Sequence, residues 1–246
     1  MLDSAYLRDL GGLAAHRTLV RLDLRGTGAS DVPADPATYR CDRQVSDVEA
    51  VRRHLGLDRV DLFGHSAGAN LAYRYLESHA DRVGRLLLVA PSPRGLGVDR
   101  EDDERAVLAA SRSDEPWYPA AAAAFARVRA GSATDADWAA IDPFTYGRWD
   151  DDVRAYNDWM NRRRHAEAAG IYAEGYDPEA TRTALVGLDL NALVVSGELD
   201  LGNPPGLMAE VASVLGAEHV IQEGAGHFPW VDDPHRFVGL LAAFVR

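Results

Sequence analysis

Ser66 lies at the centre of a glycine-flanked pentapeptide, GHSAG at residues 64–68, which could turn a serine into a nucleophile. The pentapeptide follows a short apolar run that ends at Phe63 and precedes a helical pattern that begins near Asn70. A G-x-S-x-G sequence between a strand and a helix is typical of a sharp turn that exposes the serine hydroxyl. Because this hydroxyl is weak at neutral pH, it needs a base, an acid that orients the base, and donors for the oxyanion.

His227 is the histidine best placed to act as the base. It lies in a glycine-rich stretch, residues 224–230, between a predicted strand and the last predicted helix. Glycines on either side allow such a loop to reach over the edge of a sheet. His65 is the alternative by proximity, but the residue before the serine in such a turn points away from the hydroxyl. We therefore expect His65 to be a packing and hydrogen-bonding residue.

The acid that orients the base has two candidates, Asp200 and Glu198. Both follow the apolar run that ends at Val195. An acid just beyond the carboxyl end of a strand can reach an imidazole at the same edge of the sheet. The spacing alone leaves both residues open.

Composition excludes several classes of function. The net charge of −12 argues against nucleic acid or an anionic membrane as the main partner, because both require clustered Lys and Arg. The single cysteine, Cys41, excludes an intramolecular disulfide and a cysteine-based zinc site, and no spacing favours another metal site or a cofactor. No apolar stretch approaches the ~20 residues of a membrane span, and residues 1–10 do not resemble a signal peptide. We expect a cytoplasmic protein.

The periodicity of apolar residues predicts alternating strands and helices. Such alternation indicates an α/β fold with a mostly parallel sheet flanked by helices. Helical spacing begins at Val45 and Leu71, and a helix is expected over Pro205–Leu215 and over Pro234–Val245. The predicted strands are Thr18–Asp23, Val60–Phe63, Leu86–Ala90, Ala192–Val195 and His219–Ile221.

The middle of the chain differs, because it shows helical patterns and no strong strand. We predict a core formed by residues 1–93 and 187–246, and a helical cap formed by residues 94–186. Tyr146, Trp149 and Trp159 lie in the cap and are candidates to line an apolar pocket over Ser66; alternatively, they form the cap's own core. The predicted cap helices are Arg105–Ser111, Ala120–Arg129, Asp135–Ala140 and Asp151–Ala169.

The order Ser66, Asp200, His227 along the chain resembles that of the α/β-hydrolase fold family. Residues 23–30 are similar to the family's D-x-R-G-x-G-x-S turn, and residues 226–229, GHFP, are similar to its terminal histidine motif. The resemblance is to its serine hydrolases of the esterase and prolyl-aminopeptidase-like branch. It implies Asp200 rather than Glu198 as the acid, the backbone N–H of Ala67 as an oxyanion donor, and no cofactor.

The chain departs from that family at its beginning. The family has three strands before the one that corresponds to Thr18–Asp23, and a His-Gly-rich loop after the third supplies the other oxyanion donor. Here Met1–His16 is predicted to be the helix that follows such a loop. We expect a natural start upstream of Met1; the alternative is direct pairing between Thr18–Asp23 and Val60–Phe63. If the short chain is the natural one, we expect weak or absent catalysis, because losing one donor costs ~10²–10³ in rate.

The resemblance implies hydrolysis of an ester or an amide through an acyl-enzyme on Ser66. The substrate would be a small-molecule ester or a peptide N-terminus, and the sequence does not predict the oligomeric state. A cap acid could hold a substrate ammonium, with no basis for choosing among Asp150, Asp151, Asp152, Glu167 and Glu174. The alternative is a ligand-binding member of the fold that does not hydrolyse its ligand.

Overall fold

The core of the protein is a parallel β-sheet. The computed structural model describes residues 1–99, 103–241 and 244, and within these the sheet has four strands in the order β1-β2-β3-β4. Each neighbouring pair is parallel, so all carboxyl ends lie at one edge. The strands are β1 Val60–His65, β2 Val83–Val89, β3 Asn191–Gly197 and β4 Glu218–Gln222.

Helices cover both faces of this sheet. Consecutive residues of its central strands point to opposite faces, and both sets are apolar. In β2, Leu86 and Leu88 pack with the helices over Cys41–His54, Gly68–His79 and Pro205–Leu215, whereas Leu87 and Val89 pack with Trp230 on the opposite face. None of the helices in the described part of the chain is both long and apolar enough to span a membrane. The core helices are α1 Cys41–His54, α2 Gly68–His79, α9 Pro205–Leu215, α10 Pro229–Asp232 and α11 Pro234–Leu241.

The segment between β2 and β3 is helical, as predicted. The expected helix over 151–169 is two helices, because the chain turns before His165, whose Nδ1 accepts a hydrogen bond from the N–H of Ala168. The helix that follows them was not predicted. The boundaries of core and cap given above stay a prediction. The helices are α3 Glu104–Ala110, α4 Tyr118–Arg129, α5 Asp135–Ala140, α6 Asp151–Asn161, α7 Ala166–Ala173 and α8 Pro178–Leu185.

Four of the five predicted strands are confirmed, and the first is wrong. Thr18–Asp23 forms no strand and does not join the sheet, so the expected direct pairing with Val60–Phe63 is also wrong. The physical reason is that a strand needs a neighbour to satisfy its backbone, and a cavity lies between this segment and β1. The predicted last helix is confirmed to Leu241; residues 242, 243 and 245 lie outside the described residues.

The predicted N-terminal helix over Met1–His16 is also wrong. Two short 3₁₀ turns take its place, Ser4–Leu7 and Leu13–Ala15. Between them Gly11 and Gly12 adopt left-handed φ values of 69° and 100°, which an α-helix cannot accommodate. The apolar side is nevertheless used, since Leu10 and Leu13 are buried against the sheet.

The end of β3 and the loop that carries His227 are packed too closely for a side chain at Gly197. A Cβ there would overlap the carbonyl oxygens of Gly226 and Ala225. Gly239, on α11, has no atom within 4 Å of the same position. The first glycine is therefore needed for close packing and the second is not.

We predict that Gly197→Ala lowers the free energy of unfolding by about 1–3 kcal/mol, as overpacking of a core does. Gly239→Ala, the matched control, should raise it by about 0.5–1 kcal/mol, because alanine favours a helix interior. Urea unfolding followed by circular dichroism measures both changes. Equal stability of the two variants would contradict the close contact between β3 and the histidine loop.

Candidate active site

The three candidate catalytic residues follow three different strands at the carboxyl edge of the sheet. Ser66 comes directly after β1, Asp200 lies in the loop after β3, and His227 lies in the loop after β4. Ser66 has a left-handed φ of 50°, the strained geometry expected of the sharp turn before α2. Its N–H donates to the carbonyl of Val89 at 3.1 Å, and its own carbonyl accepts from the N–H of Ser92 at 2.9 Å. Both bonds hold the turn against the neighbouring strand.

Asp200 and His227 are joined by a short hydrogen bond. His227 Nδ1 lies 2.7 Å from Asp200 Oδ2. The other carboxylate oxygen, Oδ1, accepts from the N–H groups of Gly202 at 2.9 Å and Asn203 at 3.0 Å. The carboxylate accepts at Oδ2, so His227 Nδ1 is the donor and Nε2 is left as the basic nitrogen.

Glu198, the rival acid, faces elsewhere. Its side chain is exposed and accepts a hydrogen bond from the N–H of Gly224 at 2.8 Å. Asp200 is 1% exposed. The geometry thus separates two acids that the local sequence left open.

His65 connects the serine turn to the backbone of His227. Its Nε2 lies 2.9 Å from the carbonyl oxygen of His227, and its Nδ1 lies 3.0 Å from the hydroxyl of Tyr6. Burial, together with the nearby His227, holds the pKa of His65 well below its ordinary value, so the ring is neutral. A carbonyl can only accept, so Nε2 carries the proton and Tyr6 donates to Nδ1.

This arrangement agrees with the expectation that His65 packs and hydrogen-bonds. The rings of His65 and His227 have centroids 4.8 Å apart. A second hydrogen bond holds the loop that carries His227: the N–H of His227 donates to the carbonyl of Thr145, which follows α5, at 2.7 Å. The backbone of His227 is therefore held on both sides.

Ser66 and His227 line one cavity, although no hydrogen bond joins their side chains in the described structure. Catalytic hydrogen bonds are often long or poorly aligned without substrate and tighten when it binds. The cavity has a volume of about 1690 Å³ and extends from the serine past β1. It is larger than the ~300–1,000 Å³ of common ligand pockets.

The backbone N–H of Ala67 is available as an oxyanion donor. Among the described residues it donates to no other backbone group, while the carbonyl of Ala67 accepts from the hydroxyl of Tyr172. Ala67 stands at the N-terminal end of α2, where the helix dipole favours negative charge. Its role as an oxyanion donor stays a prediction.

The predicted cap aromatics do not line this cavity. Tyr146 is fully buried, stacked at 5.2 Å on Phe228, and Trp149 packs beside it. Trp159 lines a separate pocket of about 430 Å³. These three residues pack with the buried residues on the Leu87 and Val89 face of the sheet, so the core that they join is shared with the sheet and is not the cap's own.

Asp142 is a cap acid in the cavity wall that sequence reasoning missed. Its Oδ2 accepts from the side-chain amides of Asn157 at 2.7 Å and Asn161 at 3.4 Å, and burial raises the pKa of its carboxyl group. The five cap acids named from the sequence are outside the wall of this cavity. No local signal singles out Asp142, because the packing of distant segments decides which of many acids faces the cavity.

Asp232 ties the histidine loop to the cap. Its Oδ2 accepts from the N–H of Gly226 at 2.8 Å and its Oδ1 from the N–H of Arg148 at 3.4 Å. Burial raises the pKa of Asp232 to about 6. The Asp232 carboxylate therefore holds the loop at Gly226, the residue that precedes His227.

Comparison with known proteins shows which family the chain resembles. The model of the alpha/beta hydrolase fold family matches residues 6–234. The chain is 25% identical over 236 residues to a proline iminopeptidase of Lacticaseibacillus rhamnosus, covering 92% of this chain and 79% of the relative. It is 36% identical over 85 residues to a putative 2-succinyl-6-hydroxy-2,4-cyclohexadiene-1-carboxylate synthase of Bacillus subtilis, covering 34% of this chain and only 31% of the relative.

Solved structures show the same fold. An esterase from Exiguobacterium antarcticum superposes with a TM-score of 0.70 at 19% identity, covering 99% of this chain and 87% of the esterase. A proline iminopeptidase-related protein from Thermus thermophilus superposes with a TM-score of 0.64 at 23% identity, covering 99% and 86%. With the parallel sheet, the serine turn at its edge and a family match over most of its length, the chain belongs to the α/β-hydrolase family and is an enzyme of that family.

Proposed function

We propose that this hydrolase cleaves an ester or an amide through an acyl-enzyme on Ser66. The observation that carries the proposal is the partly buried 2.7 Å hydrogen bond between Asp200 and His227, at the edge of the sheet where Ser66 follows β1. Because that bond takes Nδ1 as the donor, Nε2 of the neutral ring is the nitrogen that can accept a proton, and His227 lines the cavity. The triad needs a base in this state.

In the first half of the reaction, Ser66 Oγ attacks the substrate carbonyl carbon while His227 Nε2 takes its proton. The carbonyl oxygen becomes an oxyanion, which the N–H of Ala67 and the N-terminal end of α2 stabilise. His227 then gives the proton to the leaving alcohol or amine, and the acyl group stays on Ser66. In the second half, water attacks the acyl carbon, His227 takes a proton from the water and returns it to Ser66, and the acid leaves.

Asp142 supports a substrate with a free amino group, such as a peptide N-terminus, over a neutral ester. Its hydrogen-bond partners are neutral amides, and among the described residues it forms no salt bridge, although Arg164 in the same cavity wall lowers its pKa in opposition to burial. A substrate ammonium would supply the direct ion pair that this carboxylate lacks. The similarity to a proline iminopeptidase points in the same direction.

A second candidate function is ligand binding without hydrolysis. It is favoured by the oxyanion site, where the N–H of Ala67 is the one donor that we can assign. The geometry of the triad favours the hydrolase. A site that only binds a ligand does not require a histidine that is oriented by Asp200. A cytoplasmic location stays a prediction from the sequence.

We predict that Ser66→Ala and His227→Ala each lower kcat by about 10⁶-fold, because the triad acts as a unit. Asp200→Asn should lower kcat by about 10⁴-fold, since the imidazole loses its orienting acceptor. Initial rates with nitrophenyl esters and with aminoacyl nitroanilides measure these changes. Labelling by a fluorophosphonate probe reports directly on Ser66.

The matched controls are Ser78→Ala and His235→Ala, which replace a serine and a histidine remote from the cavity. They should keep wild-type rates and labelling. If the wild-type protein is folded and fluorophosphonate does not label Ser66, the ligand-binding function replaces the hydrolase.

We predict that Tyr6→Phe lowers kcat about 10-fold with little change in KM. Without the Tyr6 donor, Nδ1 of His65 has no hydrogen-bond partner and the ring is oriented only by the bond from Nε2 to the carbonyl of His227. The nitrogen-15 shift of Nδ1 reports the lost hydrogen bond, while the proton should stay on Nε2. Tyr118→Phe, in the cap, is the control, and an unchanged Nδ1 shift in Tyr6→Phe would contradict this role.

We predict that Asp142→Asn raises KM at least 10-fold for aminoacyl nitroanilides with a free amino group. The same variant should leave kcat/KM for neutral acetyl esters within about twofold, because only the cationic substrate loses a charge-assisted contact. Asp151→Asn is the control, since that side chain is 97% exposed. Equal losses on charged and neutral substrates would remove Asp142 from amine recognition.

A further inference from the structure

A second, smaller pocket lies apart from the cavity that holds Ser66. Its volume is about 430 Å³, within the ~300–1,000 Å³ of common ligand pockets. One face of α6 forms most of its wall, Arg8 comes from the chain after the first N-terminal turn, and Val231 comes from α10. Among the described residues, the two pockets share no lining residue. The smaller pocket is therefore a separate place where a ligand could bind.

Arg8 brings a positive charge to this pocket that no acid of the described structure balances. Its guanidinium carbon lies 4.4 Å from the centroid of the Tyr156 ring. Among the described residues, its side chain forms no salt bridge and no hydrogen bond. The contact with the aromatic ring holds the guanidinium in place, and its N–H donors remain for a planar anion such as a carboxylate.

Arg148, the other cation of the pocket, already has partners. It forms a salt bridge with Asp150. It also donates hydrogen bonds to the carbonyl of Val231 at 3.1 Å and to that of Asp232 at 3.4 Å. The positive charge that remains for a ligand is therefore that of Arg8.

Asp152 brings the opposite charge to the same pocket. It lies in the first turn of α6, and it is exposed. Within the described part of the chain it forms no salt bridge, neither with Arg8 nor with another cation. One cation and one carboxylate thus line the pocket without pairing with each other. A ligand that carries both charges would complement them.

The rest of the wall is apolar and aromatic. The rings of Tyr156 and Trp159 are stacked, with their centroids 6.1 Å apart. Trp159 is half-buried, and Val153 and Val231 beside it in the wall are buried. An apolar side chain of a ligand would lose water-exposed surface against these groups, which favours its binding.

We propose that this pocket binds a free α-amino acid with an apolar or aromatic side chain. The carboxylate of the amino acid pairs with Arg8, its ammonium pairs with Asp152, and its side chain packs on Trp159. A phosphate is disfavoured, because Asp152 would repel it, and a hydrocarbon would leave both charges without partners. This inference does not rest on the proposed function, because it concerns binding alone.

A series of hydrogen bonds runs from this pocket to the catalytic histidine. The hydroxyl of Tyr156 donates to the carbonyl of Tyr6 at 2.7 Å, and the hydroxyl of Tyr6 donates to Nδ1 of His65. His65 in turn donates to the carbonyl of His227. An amino acid in the pocket would therefore contact the first residue of a series that ends at the base.

The test uses the full chain carrying Ser66→Ala, so that hydrolysis plays no part, and phenylalanine is the probe. Isothermal titration calorimetry measures its dissociation constant. Phenylalaninamide, which lacks the carboxylate, and N-acetylphenylalanine, which lacks the ammonium, should each bind at least fivefold more weakly. If either of these compounds binds as well as phenylalanine, or if phenylalanine does not bind, the proposal is overturned.

Two further variants in the same background assign each charge. Arg8→Gln should weaken phenylalanine binding at least 10-fold and remove the preference over phenylalaninamide. Asp152→Asn should weaken it about fivefold and remove the preference over N-acetylphenylalanine. The matched controls are Arg154→Gln and Asp151→Asn, which lie on α6 but outside the pocket and should leave binding unchanged. Equal effects of the pocket variants and the controls would contradict the assignment.

Asp142→Asn separates this pocket from the catalytic cavity, which Asp142 lines. It should keep the phenylalanine binding that Arg8→Gln removes. Loss of binding in Asp142→Asn together with full binding in Arg8→Gln would place the amino acid in the catalytic cavity and overturn the proposal. Thermal unfolding followed by circular dichroism shows that each variant is folded, and Asp152→Asn keeps the test decisive if Arg8→Gln is not.

Discussion

The active site depends on a buried carboxylate that, among the described residues, forms no salt bridge with an arginine or a lysine. Asp200 is 1% exposed, and its charge is balanced by two backbone N–H groups and by His227 Nδ1. An ionised carboxylate at such a position is costly unless every oxygen has donors. The loop after β3 supplies those donors by turning back at Gly202 and Asn203. The orientation of the imidazole follows from where that carboxylate is held.

The backbone of His227 is fixed by two parts of the chain that are far apart in sequence. His65, at the end of β1, donates to its carbonyl, and Thr145, in the cap, accepts from its N–H. The distance between the base and the nucleophile is therefore set partly by the cap. A cap that shifts when substrate binds would move the imidazole through Thr145, which links substrate recognition to the alignment of the triad.

Much of this arrangement could be read from the sequence. The serine turn, the strand before it and the order of the acid and the histidine depend on local patterns, so the confirmed strands and helices were predicted within a few residues of their bounds. Glu198 and Asp200 could not be separated by spacing, because the difference lies in which carboxylate is buried against the histidine loop. Asp142 could not be found at all, since its exposure to the cavity depends on how α6 packs on the turn that carries it.

The two wrong predictions at the beginning of the chain have a common cause. Thr18–Asp23 has the composition of a strand, but a strand forms only when its backbone pairs with another strand. A cavity separates this segment from β1, so the pairing does not occur. The residues before it have the apolar spacing of a helix, but Gly11 and Gly12 break the chain into turns that bury only Leu10 and Leu13. In both segments the apolar pattern of the sequence predicted a regular element. The conformation was decided instead by backbone pairing in one segment and by two glycines in the other.

The open edge of β1 also bears on the strain at Ser66. A left-handed φ at a serine is unfavourable and persists only when surrounding bonds hold it. Here those bonds come from one side, through Val89 and Ser92, which belong to β2 and the loop after it. The other side of β1 contributes no backbone hydrogen bond in the described structure, so these two bonds hold the turn from the β2 side only. The position of the serine hydroxyl therefore depends on the two bonds to Val89 and Ser92, at the wall of the cavity that Ser66 shares with His227.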